Sequence, residues 1–466
     1  MRILYYNWVQ FDNKKNIGGG VNIYQKNLID YLVKNTDNEL YFLSSGWKYN
    51  PFKNITYIKK TNNIYEKKCK TFEIINSTVM SPTFSIYMNP KLFLEDMGSY
   101  EILDKFITEY GPFDVIHFNN IEGISINVLK LKEKYPRTKF IVSIHNYQLI
   151  CPLVQYYQNH KNCICKDFDN GNDCLKCSLK NPTRKEYVKK CRNYFTEKLP
   201  HFLKFPCNVI SKIFKYKAER YIGSKLTMSP DLYKKYREYN VEILNKYADA
   251  VLAVSNRVKE IMFEYGVNKS ILYTSYIGTK FAESEMNCSI ASVTKPFTVA
   301  YLGYARIDKG FYFFIDALSQ LDEKIAKKMN VLLAVQNINN IELKGKLDNF
   351  NKVIKINGYK HEQLKEMLKD VNLGVVPVLW EDNLPQVAIE MVANGVPILC
   401  SSFGGASELC NSDLFKFQGG NEKDFISKML EFVENPNMLN EYWKNHKPLM
   451  TMKKHIEELN IIYTKE

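Results

Sequence analysis

The sequence predicts an α/β protein of two doubly wound, Rossmann-like domains facing across a cleft, and three observations carry that expectation. At 466 residues the chain is too long for one hydrophobic core and suits two. Short apolar strands, glycine-containing turns and amphipathic helices recur along it, the rhythm of parallel sheets. A polar stretch over 282–295 separates two such series and reads as a linker.

The elements follow in order. RILYYN from Arg2 is the first strand, and Gly18, Gly19 and Gly20 break the chain before a helix over 21–34. YFLSS from Tyr41, FDVIHF (113–118), KFIVSIH (139–145), DAVLAVS (249–255) and SILYTSY (270–276) are further strands, with a helix around Lys259. A long insertion at 146–248 is Cys-rich first and basic-aromatic later. In the second half FTVAYLG (297–303), NVLLAVQ (330–336), KVIKIN (352–357), LGVVPVL (373–379) and PILC (397–400) are strands. Helices are expected over 311–321, 361–371, 385–394 and 450–463. The domains are then 1–285 and 296–445, with a C-terminal helix over 446–466 returning to the first domain. Ligands of open α/β sheets bind at the carboxyl ends of the strands, which is where the polar motifs fall.

Composition bounds the function. Hydrophobic residues make up 45% and charged residues 24%, as in ordinary soluble proteins, and no run of 18 apolar residues spans a membrane. MRILYYNW reads as a strand and not as a signal peptide, so a cytoplasmic location is expected. The formal net charge of +14 suits an anionic partner such as a phosphorylated substrate or acidic lipid, or reflects compositional bias. No zinc-finger, RRM or helix-turn-helix signature accompanies it, so no nucleic-acid partner is expected.

The most informative segment is LWEDNLPQVAIEMVANGVP (379–397). Pro385 suits the first turn of a helix and Gly395 its end. The free N-terminus of that helix favours a phosphate. Asp382 lies on the loop before it and Glu390 eight positions later, off the face formed by Val387, Ala388, Met391 and Val392. Glu390 is therefore expected to reach into the cleft and accept hydrogen bonds from vicinal hydroxyls. In YARIDKG, Arg306 and Lys309 follow a strand, and two cations there would stabilise a leaving diphosphate.

The segment resembles the E-x7-E motif of family 4 glycosyltransferases, in the W-E-D-N-L-P variant of capsule and exopolysaccharide enzymes, with Asp382 in place of the commoner Glu. The resemblance implies a GT-B fold, with an acceptor-binding first domain and a nucleotide-sugar-binding second one. It gives Glu390 to the nucleotide ribose and Asp382, Asn383, Leu384 and Pro385 to the donor. YARIDKG is similar to the family's G-R-x-x-x-x-K-G stretch, with a shorter Arg–Lys spacing. Gly404-Gly405 looks like the second Gly-rich loop near the donor, and Gly19-Gly20 like the loop under the donor phosphate. HNYQLICP resembles H-D-Y-W-x-x-C-P with Asn146 replacing Asp, which gives His145 to the donor sugar. His117 is a second cleft candidate or a structural histidine.

Two features lie outside these motifs. Cys163, Cys165, Cys174 and Cys177 have spacings that fit a structural zinc, reduced thiols or a redox disulfide. Residues 184–240 mix Lys and Arg with Phe, Tyr and Leu, which fits either an interfacial helix on anionic lipid or a helix packed on the first domain. The expected function is retaining transfer of a hexosyl group from a UDP- or GDP-hexose to a glycan or polyprenyl-linked acceptor in surface polysaccharide synthesis, with no cofactor and no catalytic metal. Contact with the inner face of the cell membrane is the accompanying expectation. A sugar-nucleotide 2-epimerase of the same architecture and a non-catalytic scaffolding homologue are the rival readings.

Overall fold

Strands that are apolar on both faces must be covered on both faces, and the chain does this with two parallel sheets flanked by helices. The computed structural model describes residues 1–13, 17–53, 55–65, 67–82, 90–177, 189–194, 228–283 and 296–465. In the first domain β1 (Arg2–Tyr6), β2 (Glu39–Ser45), β3 (Tyr57–Thr61), β4 (Cys69–Ile75), β5 (Val115–Phe118) and β6 (Lys139–Ile144) join β9 (Ala250–Ala253) and β10 (Leu272–Thr274). Their order is β10-β9-β6-β5-β1-β2-β4-β3, parallel except for β3 against β4. A short hairpin of β7 (Tyr157–Gln158) and β8 (Cys163–Ile164) stands apart.

The second sheet contains β11 (Phe297–Gly303), β12 (Met329–Val335), β13 (Lys352–Asn357), β14 (Leu373–Val376), β15 (Ile398–Ser401) and β16 (Lys416–Phe417). Its order is β13-β12-β11-β14-β15-β16, all parallel. This is the 3-2-1-4-5-6 winding of a nucleotide-binding sheet, with its switch point between β11 and β14.

Several elements go beyond the sequence reading. β3, β4 and the helices Gly98–Tyr110 and Glu422–Glu434 were not foreseen. YIKKT is an exposed edge strand and CKTFEII lacks clean alternation, so neither announces itself by period. Of the basic-aromatic stretch, most lies outside the described residues, as does the linker over 284–295. Of the part that is described, residues 189–194 bury Lys190, Cys191 and Tyr194, and the rest leads into the helix Pro230–Tyr247, which starts on the cap Ser229 with Pro230 in its first turn. Tyr233, Tyr236, Arg237 and Leu244 are buried on it, and it packs on the first-domain helix Ile126–Glu133. Among the described residues no helix is long and apolar enough to cross a membrane.

Two chain crossings link the domains side by side. Thr279, leaving the first domain, forms a parallel bridge with Thr451 on the return. A Cβ on Gly278 would lie 2.8 Å from the Cβ of His455 and 3.0 Å from the Cα of Met452, so glycine lets the crossings touch. Beyond Thr451 the helix Met452–Thr464 lies on the first domain. Its Tyr463 hydroxyl is 2.6 Å from Nδ1 of His117 and 3.3 Å from the Tyr5 hydroxyl. His455 Nε2 stands 2.7 Å from the Tyr24 hydroxyl.

Candidate active site

The cleft lies where the two sheets turn their carboxyl ends toward each other. It encloses about 220 Å3, and its second-domain wall is built from the residues that end β11 and β14 at the switch point. From the first domain Gly20, Val21, Tyr24, His145, Val254 and Ile277 face it.

The motif loop forms the floor. Lys309 Nζ donates to Asp382 Oδ2 at 2.5 Å and lies 4.8 Å from the centroid of the Trp380 ring. The ammonium is thus fixed at the cleft, beside the helix Gln386–Ala393, whose first residues Gln386 and Val387 also line it. Pro385 is the extended cap of this helix and Gln386 its first residue, one position later than expected. The amino end of this helix, where the dipole is positive, and the Lys309–Asp382 pair thus line the same side of the cleft.

His145 comes from the end of β6. Its ring packs on Tyr24 at 5.1 Å between centroids, and burial lowers its pKa to about 3. It is therefore a neutral imidazole at physiological pH. Its Nε2 is buried and has no hydrogen-bond partner among the described residues. A polar atom left unpaired beside a cavity is an unfilled contact for a ligand or water. His117 is different: both its nitrogens are paired, to Tyr463 and Ser143, inside the first sheet. It is structural.

Other expected residues fall elsewhere, and packing explains each. Glu390 is 2% exposed and does not line the cleft. The helix face expected to be open is covered by the loop after β13. There Tyr359 donates to Glu390 Oε2 at 2.7 Å, and His361 Nδ1 lies 3.2 Å from Oε1. Burial raises the Glu390 pKa to about 7, with the Tyr359 bond opposing the shift. Arg306 forms a fork with Asp308 at 2.9 and 2.6 Å and stands outside the cleft lining, so of the two cations expected there only Lys309, itself paired with Asp382, reaches the cleft.

The glycines also divide. Gly20 faces across the domain gap, where a Cβ would lie 2.8 Å from Gln386 Cγ, whereas Gly19 does not line the cleft. At Gly404 and Gly405 the close approach is to the motif loop rather than to a ligand. A Cβ on either would come within 2.2 Å of the carbonyls of Asp382 and Asn383. Gly404 N–H donates to Glu381 and Gly405 N–H to the Asp382 carbonyl. Asn383 in turn donates to the Ile144 carbonyl of the first domain at 3.3 Å, while Leu384 lines the cleft.

The four cysteines do not form a metal site among the described residues, where no group of three or more His, Cys, Asp and Glu could hold an ion. Cys174 accepts from buried Arg237 at 3.0 Å, Cys177 contacts His160 at 3.2 Å, and Cys163 is exposed. None of the four is paired in a disulfide.

Three groups of residues escaped the sequence reading. Arg257 pairs with buried Glu381 at 2.8 Å, and Glu408 accepts from the backbone of Asn256 and Arg257. These join the domains around the motif loop. Tyr359 and His361 cover Glu390. Buried amide atoms without partners among the described residues, Asn7 Nδ2, Asn22 Oδ1 and both polar atoms of Gln25 and Asn119, collect around the first sheet's switch point, where β1 and β5 are neighbours. The Asn residues that follow RILYY and FDVIHF were their one visible signal.

Residues 284–448 match the model of the family described as glycosyl transferases group 1. No curated protein sequence matches the chain. Among solved structures, Anabaena Alr3699/HepE in complex with UDP is 12% identical with a TM-score of 0.56, over 99% of this chain and 98% of that one. The lipopolysaccharide outer core galactosyltransferase WaaB is 12% identical with a TM-score of 0.56, over 99% of each chain. Sucrose-phosphate synthase from Thermosynechococcus elongatus is 14% identical with a TM-score of 0.54, over 99% of this chain and 95% of that one. The chain thus has the two-domain GT-B fold, and its second domain carries the region that matches the group 1 glycosyl transferases.

Proposed function

We propose that the protein is a retaining, family 4 glycosyltransferase that moves a hexosyl group from a UDP- or GDP-hexose to a glycan or lipid-linked acceptor of surface polysaccharide synthesis. One observation carries the reading. Lys309, Asp382 and the amino end of the Gln386–Ala393 helix meet His145 and Gly20 of the other domain in one cleft. Alr3699/HepE, which shares the fold, binds UDP and UDP-glucose.

The chemistry follows from the charges. As the bond from the anomeric carbon to the diphosphate breaks, negative charge grows on the leaving oxygen. Lys309 and the helix N–H groups stabilise that charge more than the ground state. The acceptor oxygen bonds to the anomeric carbon on the face the diphosphate leaves, and its proton passes to the departing phosphate oxygen. Neutral His145 offers a hydrogen bond to a donor-sugar hydroxyl. Glu390, one helical turn beyond the cleft-lining Gln386 and Val387, receives the ribose at the edge of the cleft beside Tyr359, and Asp382 and Asn383 hold the sugar. The unpaired amides of the first domain support an acceptor rich in hydroxyls on that side. The charge of +14 supports work in the cytoplasm beside anionic lipid.

The test is nucleoside diphosphate release from UDP-glucose, UDP-galactose and GDP-mannose, with and without glycan acceptors, in the presence of EDTA. Lys309→Ala and Glu390→Ala are each expected to lower turnover on the accepted donor by about 100-fold. NMR of the product should show the donor's anomeric configuration kept. Release from no donor, or release unchanged by both substitutions, would overturn the reading. A free sugar inverted at C2 would make the protein an epimerase.

A further inference from the structure

The carboxyl group assigned to the ribose is not bare. One oxygen of Glu390 accepts from the Tyr359 hydroxyl at 2.7 Å, and the other lies 3.2 Å from His361 Nδ1. Tyr359 and His361 are partly exposed while the acid beneath them is not, so a ligand approaching the acid meets them first.

A backbone turn brings Tyr359 there, and its ring packs against the core of the second domain. It follows β13, the edge strand of the second sheet, whose residues are all exposed or half-buried. Gly358 sits between them with φ +69 and open space where a Cβ would stand, so glycine serves the turn rather than a close contact. The turn points the ring back onto the Gln386–Ala393 helix.

A carboxylate offers about four lone-pair positions, two on each oxygen. Tyr359 takes one of them on Oε2, which leaves acceptor positions on both oxygens. Two acceptor positions on neighbouring oxygens match a pair of vicinal hydroxyls.

We propose that Tyr359 is a positioning residue for the donor nucleotide: its hydroxyl holds Glu390 so that both carboxylate oxygens face the 2′- and 3′-hydroxyls of the ribose. This rests on the reading of Glu390 as the ribose acid, and the experiment separates the two.

Calorimetric dissociation constants are measured for UDP, 2′-deoxy-UDP, GDP and 2′-deoxy-GDP, on the parent and on Tyr359→Phe and Glu390→Gln. The parent is expected to prefer the ribonucleotide of its base by about tenfold, the worth of a hydrogen bond to a charged group. In Tyr359→Phe this preference should fall to less than about twofold, with the deoxynucleotide affinity unchanged. Tyr359→Gln, which returns a donor, should recover part of it and serves if the Phe variant does not fold. A merely structural tyrosine would weaken ribo- and deoxyribonucleotides equally, and that result overturns the proposal. A preference kept in Tyr359→Phe but lost in Glu390→Gln overturns the proposal alone. A preference kept in Glu390→Gln, or a parent that binds neither ribonucleotide, overturns the ribose reading with it.

Discussion

At the scale of single residues the site is a set of groups kept from their ordinary ionisation or pairing. Glu390 is the clearest case, because burial raises its pKa from 4.5 to about 7. The sign of the linkage is fixed by that direction. Below pH 4.5 the acid is protonated in folded and unfolded chains alike and contributes nothing. Between 4.5 and about 7 the unfolded chain releases its proton while the folded chain keeps it, so stability falls as pH rises, then levels off. Glu390→Gln removes this cost. Its stability relative to the parent should rise by up to about 3 kcal/mol from pH 4.5 to 7, read by urea unfolding across that range. A difference that does not vary with pH would contradict it. Residue-scale legibility followed sequence distance. Asp382, Lys309 and His145 stood inside local motifs and reached the cleft. Arg257 and Tyr359 act on Glu381 and Glu390, which lie 124 and 31 positions away, and no local pattern announces such partners.

At the scale of elements, the turn after β15 is a brace for the motif loop. Gly404 has φ +72, and any Cβ there would sit 2.2 Å from the Asp382 carbonyl. Gly404→Ala therefore has to push the loop that carries Asp382 and Asn383. We expect a loss of about 2–4 kcal/mol in stability, and a weaker donor affinity, measured by thermal unfolding with and without UDP-glucose. An alanine variant as stable as the parent would show that the turn does not carry the loop. In the second domain β11 and β13 were legible to the residue, because FTVAYLG and KVIKIN are apolar or β-branched runs between clear turns, whereas the strand expected over 373–379 stops at Val376 and the two-residue β16 was not foreseen. The loop after β13 was not. A helix over 361–371 was expected, whereas a single 3-10 turn, His361–Gln363, precedes a short helix, Leu364–Leu368, so His361 opens a tighter turn beside Glu390.

At the scale of the whole molecule, the two-layer winding was legible in composition and rhythm, but the way the domains hold each other was not. Their seam is polar: Arg257 with Glu381, Asn383 with Ile144, Gln155 with Asp308, and Glu408 on the backbone of Asn256. Arg257→Ala leaves the buried Glu381 carboxylate without its guanidinium and should cost about 2–4 kcal/mol, seen as a split of one cooperative thermal transition into two by calorimetry. A single unchanged transition would mean that the seam does not couple the domains. The bridge between Thr279 and Thr451 has a consequence of another kind. Because exit and re-entry are neighbours, the second domain is an insert whose removal leaves its host's ends already adjacent. Replacing 280–450 by a few glycines and serines should yield a smaller protein in which Tyr463 still caps His117.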